Sequence, residues 1–306
     1  MPNVKNLFEK INIKSPILFD EPMFRHTSFK IGGPADVFVS PLNQADLLYI
    51  LKICRNEVTP YFILGNGSNI LVSDDGIEGV VIDTSSLSKI ETTEIGIKAE
   101  CGALISRVSE EALACSLSGM EFIYSMPGTV GGAIWMNARC YDVSIGDIIE
   151  TISYLDQGLT ISTMKPEPSD FSYKKSPFQY KKTVILESTF KLLKGDPKTI
   201  KIEMDGHKND REKKGQFLFP SAGSVFKNNR DFGKSTGEII DSLSLKGFSI
   251  GDAMISTKHA NIIVNNGKAR AVDIDRLINY IEDRALQELG LSLETEILRV
   301  GRWQIK

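Results

Sequence analysis

The chain has 306 residues, 42% of them hydrophobic and 25% charged, which is enough to bury cores in about two or three domains. A net charge of −3 and a pI near 5.8 give no global attraction to nucleic acid or to an anionic membrane, so any phosphate site must be local. No apolar run reaches the roughly 18 residues that span a bilayer, and the opening MPNVKNLFEKINIK has no apolar signal core, which predicts a cytoplasmic protein.

In chain order, residues 36–39 and 61–64 read as short strands flanking a helix at 44–55. LGNGSNILVSDDG follows, with Gly65 and Gly67 between two apolar runs. That pattern predicts a hairpin with Asn66, Ser68 and Asn69 at its tip. GVVIDTS and IGIKAECG continue as strands, and Leu104, Val108, Ala112 and Cys115 recur at three- and four-residue steps, predicting a helix over 103–116.

The segment 126–138, MPGTVGGAIWMNA, is the most distinctive of the chain. Gly128, Gly131 and Gly132 would let bare N–H groups approach an anion. Gly132 is followed by Ala133 and Ile134 rather than Lys-Ser/Thr, so the nucleotide-hydrolysing pattern fails. The mid-chain position, with Pro127 in front, also excludes the first glycine turn of a dinucleotide fold. On these residues alone the segment fits a plain glycine turn in a buried crossover better than a cofactor site.

IETISYLD, LTISTMK and VILESTFKLL then read as antiparallel strands interrupted by the polar loop PEPSDFSYKKSPFQYKK. The charged stretch PKTIKIEMDGHKNDREKKGQ mixes acids with bases and reads as a solvated helix leading into a second unit. In FPSAGSVFKNN, residues Ser221, Gly223 and Ser224 predict a tight polar turn, with Lys227 and Asn228 on a strand beyond it where they could reach an anionic group. No GxSxG elbow surrounds Ser224, and a surface turn is the plain alternative. STGEIIDSL and DIDRLINYIEDRALQEL carry helical spacing, ANIIVNNGKA is a strand ending in an Asn-Gly turn, and LETEILRVG is a last strand. The sum is an α+β protein with a sheet-rich N-terminal region and a smaller C-terminal αβ domain.

Cys54, Cys101, Cys115 and Cys140 show no CxxC spacing, and His26, His207 and His259 form no metal motif. Reduced structural thiols and no bound metal are expected.

Five ordered blocks, HTSFKIGGPAD, LGNGSNILV, MPGTVGGAIWMNA, PSAGSVFKN, and KHANIIVNNGKA with LETEILRVG, run nearly end to end. Together they resemble the UDP-N-acetylenolpyruvoylglucosamine reductase family, also called UDP-N-acetylmuramate dehydrogenases, in its compact subtype. The resemblance implies a two-subdomain FAD-binding fold of the p-cresol methylhydroxylase and vanillyl-alcohol oxidase type, plus a C-terminal αβ substrate-binding domain. The implied boundaries are 1–66 and 67–196 for the FAD-binding subdomains, 197–298 for the substrate domain and 299–306 for a tail. It also implies FAD as cofactor, NADPH as reductant, a UDP-sugar substrate carrying an enolpyruvyl group, a role in peptidoglycan precursor synthesis, and a monomer without nucleic-acid or membrane partners.

Residue by residue, Ser224 matches the family's proton donor and Glu296 its catalytic Glu. Gly65, Asn66, Gly67, Ser68 and Asn69 match a turn on the FAD diphosphate; Pro127, Gly128, Thr129, Gly131, Gly132 and Asn137 belong to the loop across the flavin. Tyr173, Lys227 and Asn228 fall on the substrate side, whereas His259 is expected to pack and Arg25 to lie at the surface. Lys174 stands where the family's Tyr-Arg-x-Ser pattern has Arg. Lys keeps the charge and loses the planar fork, so the exchange is not chemically conservative. Two outcomes stay open at this point: Lys174 stabilises the developing charge as a point cation, or the chain holds FAD and UDP-sugar with impaired reduction. A flavin oxidase of the same fold with another substrate is a further alternative. Arg139, Cys140 and Asp142 replace the small residues usual in the family after the flavin loop and put the path of that loop in question.

Overall fold

The computed structural model describes residues 4–181 and 183–303. Two compact units emerge, one from Met1–Leu18, Val37–Asn66 and Gly79–Asn209, the other from Phe19–Asp36, Gly67–Glu78 and Asp210–Lys306. A four-stranded sheet has the order Ile17–Pro22, Pro34–Val39, Ile77–Asp83, Tyr61–Leu64.

In the first unit, Tyr61–Leu64 runs parallel to Val80–Asp83. The helix Gln44–Asn56 connects to it. Asn43 starts this helix by accepting from the Asp46 N–H at 2.9 Å, which satisfies an end group that would otherwise lack a partner. Its Leu47, Ile50, Leu51 and Cys54 form the buried stripe that helical periodicity requires. A five-stranded antiparallel sheet follows, in the order Ile161–Met164, Ile149–Leu155, Val184–Lys191, Gly96–Glu100, Ile90–Thr93. The three strands expected from alternation are those at its first three places. The helix Ile105–Ala114 buries Ile105, Val108 and Ala112, and the charged stretch forms the helix Pro197–Lys213, which sinks Ile200 and Met204.

The second unit is built on an antiparallel sheet ordered Ser221–Ser224, Ile262–Asn265, Ala253–Ile255, Ser249–Ile250. The helix Ala271–Leu289 covers it through Ile274, Leu277, Ile278 and Ile281, all essentially inaccessible. The Asp74 carboxylate accepts from the Ala271 and Val272 N–H groups at 2.9 and 3.1 Å, placing an anion at the positive end of that helix. Ile70–Val72 pairs in parallel with Leu298–Val300.

Two expectations are corrected. Residues 61–64 and 70–72 are not the arms of a hairpin, because each pairs in parallel with a distant strand, 80–83 and 298–300 respectively. The reason is in their composition: Ile70, Leu71 and Val72 are all buried, as befits an interior parallel strand and not a hairpin arm with one wet face. Ser221–Ser224 is itself a strand and not a surface turn. Its register shifts between Ser221 and Ser224, and Gly223 has φ +72°, the geometry of a bulge. Lys227 and Asn228 lie beyond it, past the isolated bridge Phe226↔Thr295.

All four cysteines are free thiols. Burial pushes Cys54 and Cys101 up to about 12, so neither supplies a thiolate nucleophile near neutral pH. Among the described residues there is no cluster able to hold a metal and no helix long and apolar enough to cross a membrane.

Candidate active site

The glycine segment forms the N-terminal turn of the helix Val130–Trp135, started by Thr129, whose Oγ1 accepts from the Gly132 N–H at 3.3 Å. Its other N–H groups are largely spoken for: Gly128 donates to the Met126 carbonyl (3.1 Å), Val130 to Ala103 (2.9 Å) and Gly131 to Cys101 (2.8 Å). The glycines serve close packing. A Cβ at Gly131 would lie 3.1 Å from the Cys101 Cβ, and one at Gly65 would lie 2.5 Å from Thr129 Oγ1. This narrows the expected cradle of open N–H groups at 128–132.

Open donors occur instead in the turn 65–69. The N–H groups of Gly65, Asn66, Gly67, Ser68 and Asn69 make no hydrogen bond among the described residues. Gly67 holds φ +59°, and a Cβ there would meet the His26 carbonyl oxygen at 2.1 Å, so only glycine lets the turn close. Consecutive unspent N–H groups on a glycine turn are the donor set that a diphosphate takes, and the turn fits the diphosphate of FAD. Asn137 is buried at φ +43° and fully engaged: its Nδ2 donates to the Ser172 carbonyl at 2.8 Å and its Oδ1 accepts from Gly146 at 3.1 Å.

Ser172 also anchors the turn that carries Tyr173 and Lys174. Main-chain bonds run both ways between Ser172 and Lys175, at 3.1 and 3.0 Å. Lys174 sits inside with φ +57°, a left-handed conformation that costs a residue with a side chain about 1–2 kcal/mol. Its carbonyl accepts from Gln179 Nε2 at 3.0 Å, and the same nitrogen donates to the Trp135 carbonyl at 2.8 Å. Ser176 Oγ reaches that Trp135 carbonyl at 2.7 Å. A net value of about 0.5–1.5 kcal/mol per hydrogen bond makes this set large enough to hold the strained turn.

In the second unit, Ser224 precedes Val225, whose carbonyl accepts from the Glu296 N–H at 2.7 Å, while Lys227 N–H donates to the Glu294 carbonyl at 2.9 Å. Residues 224–227 and 294–296 are thereby side by side. Asn69 Nδ2 donates to the Glu296 carbonyl at 3.1 Å, joining the 67–69 end of the glycine turn to the same backbone. The Lys227 ammonium pairs with Glu294 at 2.5 Å, and Asn228 Oδ1 accepts from the Thr236 N–H at 2.9 Å. Ser224, Lys227, Asn228 and Glu296 are therefore brought together, with Asn69, in one unit. Lys174, Tyr173 and the loop 127–137 belong to the other.

A domain model described as "FAD binding domain" matches residues 35–157, and one described as "UDP-N-acetylenolpyruvoylglucosamine reductase, C-terminal domain" matches residues 213–300. UDP-N-acetylenolpyruvoylglucosamine reductase of Borrelia garinii subsp. bavariensis is 43% identical over 301 residues, 97% of each chain. That of Clostridium perfringens is 41% identical over 286 residues, 94% of this chain and 93% of its own. The chain belongs to the UDP-N-acetylenolpyruvoylglucosamine reductase family. The crystal structure of the Thermus caldophilus reductase superposes with a TM-score of 0.79 at 31% identity, covering 94% of this chain and all of that one. The fold is accordingly the FAD-binding domain of the p-cresol methylhydroxylase type joined to the reductase C-terminal domain, and FAD is the cofactor.

Two residues of this reductase carry site geometry that sequence reading passed over. Asn261, 3% exposed, accepts from the Phe226 N–H and donates to the Phe226 carbonyl at 2.9 and 2.8 Å, so a side-chain amide stands in for a strand partner just past Ser224. Gln179 instead bridges two main-chain carbonyls, those of Lys174 and Trp135. Asn261 lies in a block that carries the family resemblance, but an amide in a strand-like run has no pattern that reveals its partners. Arg25 is exposed and pairs loosely with Glu21 at 3.5 Å.

His259 packs within the second unit, its Nδ1 accepting from the Asn261 N–H at 3.2 Å. Burial first, then the Lys214 and Lys246 ammonium groups, hold it below the ordinary value of 6.5, against a smaller opposing pull from Asp210. As pH falls below about 6.5 the unfolded chain takes up the proton before the folded one, so stability is full above that value and is lost as pH falls through the folded value. The urea midpoint is expected to drop between about pH 7.5 and about pH 5.5, and to drop less in His259→Gln; equal drops would remove His259 from this role.

Proposed function

We propose that this chain catalyses the NADPH-dependent reduction of the enolpyruvyl group of UDP-N-acetylglucosamine enolpyruvate to UDP-N-acetylmuramate, a step of peptidoglycan precursor synthesis. The observation that carries the reading is the main-chain tie at 2.7 Å between Glu296 and the residue after Ser224, which sets a hydroxyl and a carboxylate on adjoining backbones.

When bound, FAD would supply the hydride chemistry that links NADPH to the vinyl carbon of the sugar. The turn Gly65, Asn66, Gly67, Ser68 and Asn69 holds the diphosphate of FAD, while Pro127, Gly128, Thr129, Gly131 and Gly132 support the flavin, with Asn137 fixing the loop from behind. Hydride arrival leaves an enolate conjugated with the substrate carboxylate. Ser224 Oγ gives its proton to the carbon that becomes basic. A serine hydroxyl is a weak acid, and it serves here because the enolate is strongly basic and the hydroxyl is positioned in advance. Lys174 stabilises the negative charge as it develops, and Glu296 orients and polarises the enolpyruvyl end. Tyr173 lies at the reacting end; Lys227 and Asn228 serve the sugar and its diphosphate, Lys227 by exchanging Glu294 for the substrate.

We place the cofactor on 1–66 and 67–196, the substrate on 197–298 and a tail at 299–306, of which 304–306 lie outside the described residues. The matched spans 35–157 and 213–300 support that assignment. The protein works in the cytoplasm, as its nucleotide substrates require, and as a monomer; light scattering should give 33.9 kDa, and twice that mass would reject the monomer.

In stopped flow, NADPH should bleach the flavin band and the enolpyruvyl UDP-sugar should restore it under anaerobic conditions. Failure of the second step in pure, folded protein would reject the proposed reaction. Ser224→Ala should keep the first step and slow the second by at least about 100-fold, the usual scale for general acid catalysis; a second step of normal speed would remove Ser224 as proton donor.

Lys174→Met should slow sugar reduction by about 100-fold or more, the scale of one electrostatic donor, whereas Lys174→Arg should stay within about tenfold of the parent. A large gain with Arg, from a parent of negligible turnover, would mean that Lys174 does not serve.

A further inference from the structure

Gln179 is not part of any motif that carries the family resemblance, yet its side chain joins the Lys174 turn to the last turn of the flavin-side helix. We propose that Gln179 is a positioning residue for Lys174: its amide nitrogen, donating at once to the Lys174 carbonyl at 3.0 Å and the Trp135 carbonyl at 2.8 Å, sets where the Lys174 ammonium can reach. The proposal rests on the catalytic role given above to Lys174.

The geometry supports positioning over general packing. Gln179 ends the short 3-10 turn Pro177–Gln179, which begins just after Ser176. Ser176 Oγ binds the same Trp135 carbonyl at 2.7 Å, so the turn is fastened to one oxygen by two side chains. Ser172 is held independently, through Asn137 Nδ2 on its carbonyl at 2.8 Å. Of the Ser172–Lys175 bonds that close the turn, the one from the Lys175 N–H holds one edge of the peptide plane that follows Lys174, and Gln179 holds the opposite edge. That plane carries the carbonyl bound by Gln179, and Lys174 is the residue with left-handed φ, at +57°. Without the amide donor, that plane keeps the Lys175 bond but loses its hold on the carbonyl side, which weakens the grip on a conformation that residues with a Cβ avoid.

Three substitutions separate the functions of this side chain. Gln179→Met removes both donors at similar length, Gln179→Glu keeps size and polarity but presents only acceptors to two carbonyls, and Gln179→Lys restores a nitrogen donor. Sugar reduction should fall about tenfold in Gln179→Met and Gln179→Glu, as expected for one or two lost hydrogen bonds, and recover to within about threefold in Gln179→Lys. Reduction by NADPH should stay within about twofold in all three, because Lys174 acts only on the sugar. Adding Gln179→Met to Lys174→Met should produce no further loss.

Limited trypsin digestion of the full-length protein supplies a readout apart from turnover. Cleavage of the Lys174–Lys175 bond, followed by mass spectrometry, should be about tenfold faster in Gln179→Met and near the parent rate in Gln179→Lys, since a protease needs the bond released from its turn. Unchanged cleavage at that bond, or equal losses in both half-reactions, would overturn the positioning role. Sugar reduction that survives Lys174→Met would instead overturn the reading of Lys174 on which the proposal rests.

Discussion

The parallel pairing of Ile70–Val72 with Leu298–Val300 is the constraint on which the second unit's chemistry depends. It continues outward as Leu298 N–H to the Asn69 carbonyl at 3.1 Å and Asn69 Nδ2 to the Glu296 carbonyl at 3.1 Å, a bond between residues 227 apart in sequence. Closing so long a loop is less costly than it looks. Going from about 28 residues to 227 is three doublings, or about 2 kcal/mol. Burying Leu71 alone is worth about 1.5–3 kcal/mol, and Ile70 and Val72 are buried beside it. The short strand thus has enough apolar surface to bring Glu296 to the glycine turn, and Glu296 then meets the residue after Ser224 through one main-chain bond.

The two glycine segments divide the labour that one of them was expected to carry. In 126–138 the N–H groups of Gly128, Val130 and Gly131 are spent on Met126, Ala103 and Cys101 carbonyls, and at Gly131 the Cys101 side chain leaves little room for a Cβ. In 65–69 the N–H groups have no acceptor among the described residues and are the ones open to an anion. The two are in direct contact within the first unit, since Gly65 packs against the Thr129 side chain. Any residue larger than glycine at 65 would push on the cap of the helix Val130–Trp135, so binding turn and supporting loop move together.

Local pattern made most elements legible. Alternation marked the strands 149–155, 161–164 and 184–191, and three- and four-residue spacing marked the long helix of the second unit, because each depends on which face of its own backbone meets the core. Pairing partners were less legible. A glycine-rich turn between apolar runs has the chemistry of a hairpin, and nothing local in ILV says that its partner lies more than 200 residues away. Ser224 and Glu296 were singled out by their blocks, but the bulge that carries Ser224 depends on Gly223 at positive φ opposite Ile262 and Val264, a pairing again set at long range. Asn261 and Gln179 left no signal, because an amide that bonds main-chain groups differs from a solvent-facing amide only in its surroundings.

On the role proposed for Lys174, such surroundings redistribute a chemical task. An Arg at this position would bring its own orientation, since a planar fork selects the plane of the carboxylate it meets. A Lys ammonium is a point charge on a four-carbon stem and brings none. Whatever precision the charge has must then come from the backbone that carries it. Here that backbone is unusually determined: a turn closed at Ser172 and Lys175, a strained φ at Lys174, and a carbonyl tethered through Gln179 to Trp135. A strained conformation persists only where neighbouring bonds over-determine it, and such places concentrate where geometry is put to use. On the proposed reading, the absence of the fork and the tethering of the turn are two sides of one arrangement, in which orientation rests on the chain beneath the side chain.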